Sequence, residues 1–311
     1  MKKTHNRTTK LSLTLMLLLG FLSAQRVGAG AFGSGLFEVG EGSFRPMEPG
    51  GHVSLEWRFQ DQNQNVSGVG ADETVNNPEK EILTNSFQLD AGYMMNRSFG
   101  LLVEVPYLQR NVSAMISGIG LKSIDQPAFG DLRLSGLFTG FSPEMSTGLT
   151  FGLKLPTGNI NESRLSSGTQ IGTGSTDLLL GIYHFSPVSG FPNWVWSMDF
   201  QWDHPLFSQN YYVPGDEIVQ AFGLRYQDLF LGAVQLIPLF ELSGSYRWND
   251  TGSNADSKDS GSMRFLGVPG LEVNWEAWRL ASTVGIPFYQ NINGHQLVAP
   301  ALVKVQAAYL F

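Results

Sequence analysis

The chain has 311 residues, 42% of them hydrophobic and only 15% charged, with no cysteine and a formal charge of −7. The missing cysteine excludes disulfide staples, thiolate metal sites and cysteine nucleophiles, and the acidic balance argues against nucleic acid as a partner. Beyond the N-terminal segment no apolar run approaches the ~20 residues of a membrane-spanning helix, so any membrane crossing has to be made with strands.

Residues 1–29 read as a cleaved secretory signal peptide. Lys2, Lys3, Arg7 and Lys10 precede an apolar core over 11–22, and small residues follow, with cleavage expected after Ala29 or Ala24. Losing five basic residues and no acids would leave 15 bases against 27 acids, a charge of −12. Residues 30–51 are Gly-rich and weakly patterned, an N-terminal arm or a plug. Residues 52–311 then carry a rhythm of period two, the signature of strands with one apolar and one polar face.

In the first strand Val53, Leu55, Trp57 and Phe59 alternate with Ser54, Glu56, Arg58 and Gln60. In the second, Phe87, Leu89, Ala91 and Tyr93 oppose Gln88 and Asp90, and a tight turn at 95–98 leads to Phe99, Leu101, Val103, Val105 and Tyr107 opposing Glu104 and Arg110. The pattern recurs through Leu132 and Leu134, Leu149 to Leu155, Leu178 to Ile182, Trp194 to Trp202, Phe222 to Tyr226, Leu236 to Trp248, Phe265 to Val273 and Trp278 to Ile286. It ends with Val303, Val305, Ala307, Tyr309 and Phe311 on one face and Lys304 and Gln306 on the other. The long polar connections, such as 61–81, 113–127, 156–175 and 249–262, alternate with short ones, and large aromatics sit near strand ends on the apolar face. Both regularities predict an all-β fold, a transmembrane antiparallel up-and-down β-barrel of about twelve strands (roughly ten to fourteen) with short periplasmic turns and long extracellular loops. The expected location is the bacterial outer membrane, with outer-membrane lipid around the barrel and the assembly machinery reading the terminal strand that ends in Phe311.

The polar rows would line the lumen. Their acids are Glu56, Asp90, Glu104, Asp131, Asp177, Asp199, Asp203, Glu241 and Glu272; their bases, equal in number, are Arg58, Arg110, Arg133, Lys154, Arg225, Arg247, Arg264, Arg279 and Lys304. The principal lumen-lining candidates are Glu56, Arg58, Asp90, Glu104, Asp131, Arg133, Lys154, Asp177, Asp199, Arg225, Glu241 and Arg247. Such charges either pair across a narrow lumen, because an unpaired desolvated ion is costly, or form a passage that filters solutes by sign. The loop acids Asp250, Asp256 and Asp259 are either a weak divalent-cation site or simply solvated; they lack the spacing of a calcium loop. No metal or cofactor is expected. The histidines show no metalloprotease spacing and no serine sits in a nucleophile elbow, so no enzyme is expected; His204 beside Asp203 is the nearest approach to a catalytic pair.

Three stretches carry a family resemblance: Phe129-Gly130-Asp131-Leu132-Arg133-Leu134, Gly152-Leu153-Lys154-Leu155-Pro156-Thr157-Gly158 and Gly172-Thr173-Gly174-Ser175-Thr176-Asp177-Leu178. In order and spacing they resemble the outer-membrane transporter family named for the meta-pathway of phenol degradation, over residues 129–311. The resemblance implies a barrel passing small, often aromatic or hydrophobic, compounds. Within it, Asp131 and Asp177 are placed at corresponding strand starts to pair with Arg133 or Lys154. The function expected is therefore a channel or passive transporter for a small-molecule solute. The alternatives are a closed, salt-bridged barrel acting through its extracellular loops in adhesion or reception, and a barrel hydrolase.

Overall fold

The computed structural model describes residues 49–311 apart from 73, 75, 76, 117, 163 and 164. The expected signal peptide and all but the end of the Gly-rich arm lie outside the described residues. The strands are β1 Gly50–Gln62, β2 Gln64–Gly68, β3 Gly70–Ala71, β4 Glu79–Met94, β5 Phe99–Ile116, β6 Gly120–Phe129, β7 Leu132–Phe138, β8 Thr147–Leu155, β9 Ser175–Val188, β10 Phe191–Ser208, β11 Glu217–Tyr226, β12 Leu229–Leu231, β13 Val234–Arg247, β14 Ser262–Trp275, β15 Trp278–Val298 and β16 Leu302–Leu310. Twelve of them form a closed antiparallel barrel in the order β1-β4-β5-β7-β8-β9-β10-β11-β13-β14-β15-β16, and β16 pairs back onto β1. Closure leaves the wall without a sheet edge, which is how half-apolar strands can cross a membrane.

The period-two pattern is turned inside out relative to a water-soluble domain. Leu55, Leu89, Leu101, Leu149, Leu153, Leu242 and Leu280 are exposed on the outer surface, whereas Ser54, Glu56, Thr84, Ser86, Lys154, Glu241 and Glu272 are buried. Aromatic pairs mark both edges of this apolar band. At the short-turn rim stand Phe99–Phe138, Trp194–Tyr226 and Trp278–Tyr309; at the long-loop rim stand Tyr107–Phe129, Trp202–His204 and Tyr246–Trp248.

The terminal strand closes the barrel through reciprocal backbone bonds, Phe311 N to Gly51 O at 2.9 Å and Gly51 N to Phe311 O at 2.7 Å. The seam begins at Gly50, two residues before the expected boundary, so the last arm residues belong to β1. A Cβ on Gly51 would lie 2.5 Å from the Phe311 ring, so a larger residue there would have to displace the terminal aromatic.

Two expected loops prove to be largely strand. The 113–127 segment continues β5, turns, and returns as β6, and much of 61–81 forms β2, β3 and the start of β4. Above the band the outer face meets water instead of lipid, so no outward apolar row is required and these strands read as loops, although Val112, Ala114 and Ile124 are buried. The Phe129-Gly130-Asp131 motif also does not open a strand. It lies at a bulge between β6 and β7, where the register moves from Tyr107↔Phe129 to Glu104↔Arg133. Pro106 sits opposite with no N–H to offer, and its carbonyl accepts from Gly130 N at 2.8 Å.

Candidate functional site

The inward rows enclose a chamber of about 200 Å³ in the half of the barrel nearer the short turns. A second cavity of about 90 Å³ lies above it, and Arg58, Gln88, Arg133, Asp203 and Glu217 line both, forming a waist. Of the candidates, Glu56, Arg58, Asp90, Glu104, Arg133 and Asp199 line the chamber, and Arg58, Asp131, Arg133, Lys154, Asp177 and Arg247 line the upper cavity. Arg225 and Glu241 line neither of these two cavities; Arg225 Nη1 lies 3.8 Å from Glu272 Oε2.

The charges are grouped. Arg58 and Lys304 are direct cross-strand partners on β1 and β16, and buried Glu56 bonds to both, with Lys304 Nζ at 2.6 Å. Like charges facing across a ladder repel, so the carboxylate between them holds that register. On the neighbouring wall Asp90 and Glu104 face each other in register, and Gln88 Nε2 donates to both, at 2.8 and 3.1 Å; Ser54 Oγ donates to Asp90 at 3.0 Å. At the waist Lys154 pairs with Asp177 and lies 3.7 Å from Asp203, which is 4.0 Å from Arg133. The chamber lining thus carries six acids (Glu56, Asp90, Glu104, Asp199, Asp203, Glu217) against three bases (Arg58, Arg133, Lys304). The same lining is partly apolar, with Leu102 beside Glu104 on β5, and Leu137, Leu179 and Tyr183, turned inward.

Asp177 pairs with Lys154 as expected, but Asp131 does not take a basic partner. It accepts from Gly158 N at 2.9 Å and from Thr173 N and Oγ1 at 2.7 and 2.8 Å. Thr157 Oγ1 accepts from Leu132 N at 2.9 Å and donates to Gly130 O at 3.0 Å. The three sequence motifs are therefore one cluster at the neck of the 156–174 connection. The neck is narrow: a Cβ on Gly158 would lie 2.5 Å from Gly172 Cα.

From this neck the connection crosses the mouth. Arg110, inward on β5, donates to the carbonyls of Thr169 at 3.1 Å and Gln170 at 2.8 Å. Leu165 packs against Ile82, Val112 and Leu297, and Ser166 Oγ donates to Glu79 at 3.2 Å. Ile171 and Thr173 face the upper cavity from above. Glu79, on β4 well beyond the aromatic rim, is pushed up to about 7 by burial, against the pull of Ser166 and Arg110.

The loop acids are divided. Asp250 is bound by Arg247 at 2.6 Å, Tyr212 Oη at 2.8 Å and Gly215 N at 2.9 Å, while Asp259 accepts from His295 N at 2.8 Å. Burial raises Asp259 above the ordinary carboxylate range. Among the described residues no three His, Cys, Asp or Glu side chains are placed to hold a metal. His204 and Asp203 point to opposite faces, as adjacent strand residues must. His204 bonds Asp216 at 2.8 Å beside Trp202 on the outer surface, while Asp203 faces the waist, so they form no catalytic pair.

Glu217 was not among the candidates although it lines the waist. Counting back by twos from Arg225 reaches it, but the apolar alternation that marks β11 begins only near Phe222. Thr157 and Thr173 stand in the quoted motifs, but their roles were not legible, because their hydroxyls act through contacts between distant segments.

No protein-family model matches the sequence, and no curated protein matches it. Solved structures do match. The COG4313 outer membrane channel from Pseudomonas putida F1 aligns over 89% of this chain and 100% of its own, with a TM-score of 0.66 at 11% identity. The β domain of the Bordetella autotransporter Brka covers 85% and 100% with a TM-score of 0.48 at 9% identity, and the CymD monoaromatic hydrocarbon channel 85% and 89% with 0.42 at 10%. At such identities the likeness establishes the fold: the chain is built as the P. putida channel is, a closed antiparallel membrane-type barrel.

Proposed function

We propose that the protein is a passive channel of the bacterial outer membrane that admits small molecules. The observation that carries this reading is the chamber, surrounded by the closed wall, lined with polar and charged groups, and stacked below a second cavity with which it shares the five side chains of the waist. Long connections gather at one rim and short turns at the other, which orients the mouth outward and the terminal strand toward the periplasm. Phe311 at the seam is the feature the assembly machinery would read.

A lining in which apolar side chains are interspersed with an excess of acids suits solutes with a hydrophobic body that are neutral or positively charged. This agrees with the aromatic and hydrophobic compounds implied by the three-motif resemblance. Fixed negative charge in a narrow aqueous passage concentrates cations and repels anions. The barrel is a conduit in this reading and not an enzyme.

The deciding measurement is single-channel conductance of the refolded protein in a planar bilayer. Steady unitary steps are expected. Silence from a folded barrel would sink the channel reading in favour of a closed barrel working through its extracellular loops, an alternative favoured by the connection lying across the mouth.

A further inference from the structure

At the step between β6 and β7 side chains bridge where the ladder is interrupted. β8, between β7 and β9, ends at Leu155, and among the described residues β6, higher in the same wall, pairs with β5 alone. At this step the chain leaves the wall as the 156–174 connection. Thr157 Oγ1 joins Gly130 O and Leu132 N, and Asp131 receives three donors from the two ends of the connection. From the neck the connection touches the neighbouring strands β4 to β6 through Arg110, Gln126, Glu79, Ile82 and Val112, and reaches across to Leu297 on β15 and to Asn254 O, to which Ser167 Oγ donates at 3.2 Å.

We propose that Asp131 is the positioning residue of a mouth gate: by binding both ends of the 156–174 connection at its glycine neck, it holds that strap across the upper cavity and sets the aperture. The assignment rests on the channel reading. Its chemistry is that of an ionised carboxylate accepting several N–H and O–H donors, which gives the stronger class of hydrogen bond and fixes the direction in which the strap leaves the wall. Beyond the neck the strap is held by a small apolar cluster and by hydrogen bonds to its own carbonyls and hydroxyls. Weakening the neck should therefore let the strap swing without dismantling the barrel, whose twelve strands pair independently of it.

The test compares unitary conductance of the full-length protein, Asp131→Ala, and Asp131→Ala carrying Glu79→Cys and Ser166→Cys. The natural chain has no cysteine and those two side chains touch at 3.2 Å, so a short bifunctional methanethiosulfonate, which spans the length lost when Glu becomes Cys, can tie the strap to β4 through one reducible bridge. Asp131→Ala is expected to raise conductance severalfold. Bridging the cysteine pair should return it to the wild-type level, and reduction should release it again. Should Asp131→Ala fail to assemble, Thr173→Val, which deletes one of the three donors, is measured in its place and should give a smaller rise. Conductance unchanged from wild type, or a rise that the cross-link does not suppress, would overturn the gate while leaving the channel. Silence in every folded variant, the reduced ones included, would overturn both.

Discussion

Glu56→Gln isolates the charge cluster at the barrel seam. Glu56 is 2% exposed and lies between Arg58 and Lys304, which face each other directly across the β1–β16 ladder. Gln keeps the shape and one acceptor but removes the charge, leaving two cations opposed at the junction that closes the barrel. Removing one partner of a buried ion pair costs about 3–5 kcal/mol where the remaining charge cannot reach water. Here Arg58 and Lys304 border the chamber and can turn into it, so part of that penalty is relieved and a loss of about 2–3 kcal/mol is expected. Urea unfolding of the refolded protein in detergent, followed by tryptophan fluorescence, reads this directly. Adding Lys304→Met should recover at least half of the loss, because only one cation then remains at the seam. A loss below about 0.5 kcal/mol, or no recovery in the double variant, would refute the view that Glu56 holds two like charges in register.

Two further outcomes follow from the same geometry. With six acids and three bases on its lining, the chamber should be cation-selective, and Asp90→Asn combined with Glu104→Gln should move the reversal potential in a KCl gradient toward the unselective value; an anion-selective wild type would refute the reading. Glu79 is raised to about 7 by burial, with Ser166, Thr169, Arg110 and Asp256 around it, so the docked strap holds its proton more tightly than the released one. Its stabilisation is complete below the ordinary carboxylate range and is lost as pH rises through about 7. Limited proteolysis within 156–174 should accelerate over that window in wild type and not in Glu79→Gln, and an identical profile in both would exclude Glu79 as the cause.

The barrel was legible because a lipid-facing wall imposes a strict alternation. Val53 to Phe59 and Val303 to Phe311 can be read as strands without knowing what they pair with. Residues above the band obey no such rule. The β5–β6 hairpin and the upper end of β15 lack a continuous outward apolar row, their buried Val112, Ile124 and Leu297 being isolated among polar residues, and nothing local separates them from loop. Parity also assigned Glu56, Asp90, Glu104 and Asp199 to the lumen, since facing inward depends only on position along a strand. What Asp131 does could not be read that way. Its partners are Gly158 and Thr173, which come near it only once β8 has stopped short and the chain has folded back. The three motifs were visible as sequence, but their meeting at one neck is a property of the closed wall.

The balance of acids and bases along the polar rows likewise did not foretell the sign of the chamber. Charge parity counts residues per strand, whereas the lining depends on which side chains are drawn away from the space. The bases are drawn away. Arg110 reaches up to the strap carbonyls, Arg247 to Asp250, and Arg264 Nη2 to Ala299 O at 3.2 Å, each fastening a connection at the mouth. Arginine suits this because its planar fork offers five donors and no acceptor, so it can hold several loop carbonyls at once. Asp90 and Glu104 lie too far below the mouth to meet loop N–H groups as Asp131 and Asp250 do, so they stay at the chamber surface, where Gln88 donates to both and Ser54 to Asp90. An electrically even set of rows thus yields a basic mouth framework above an acidic chamber, and the selectivity of the passage follows from the donor chemistry of the loops as much as from the wall itself.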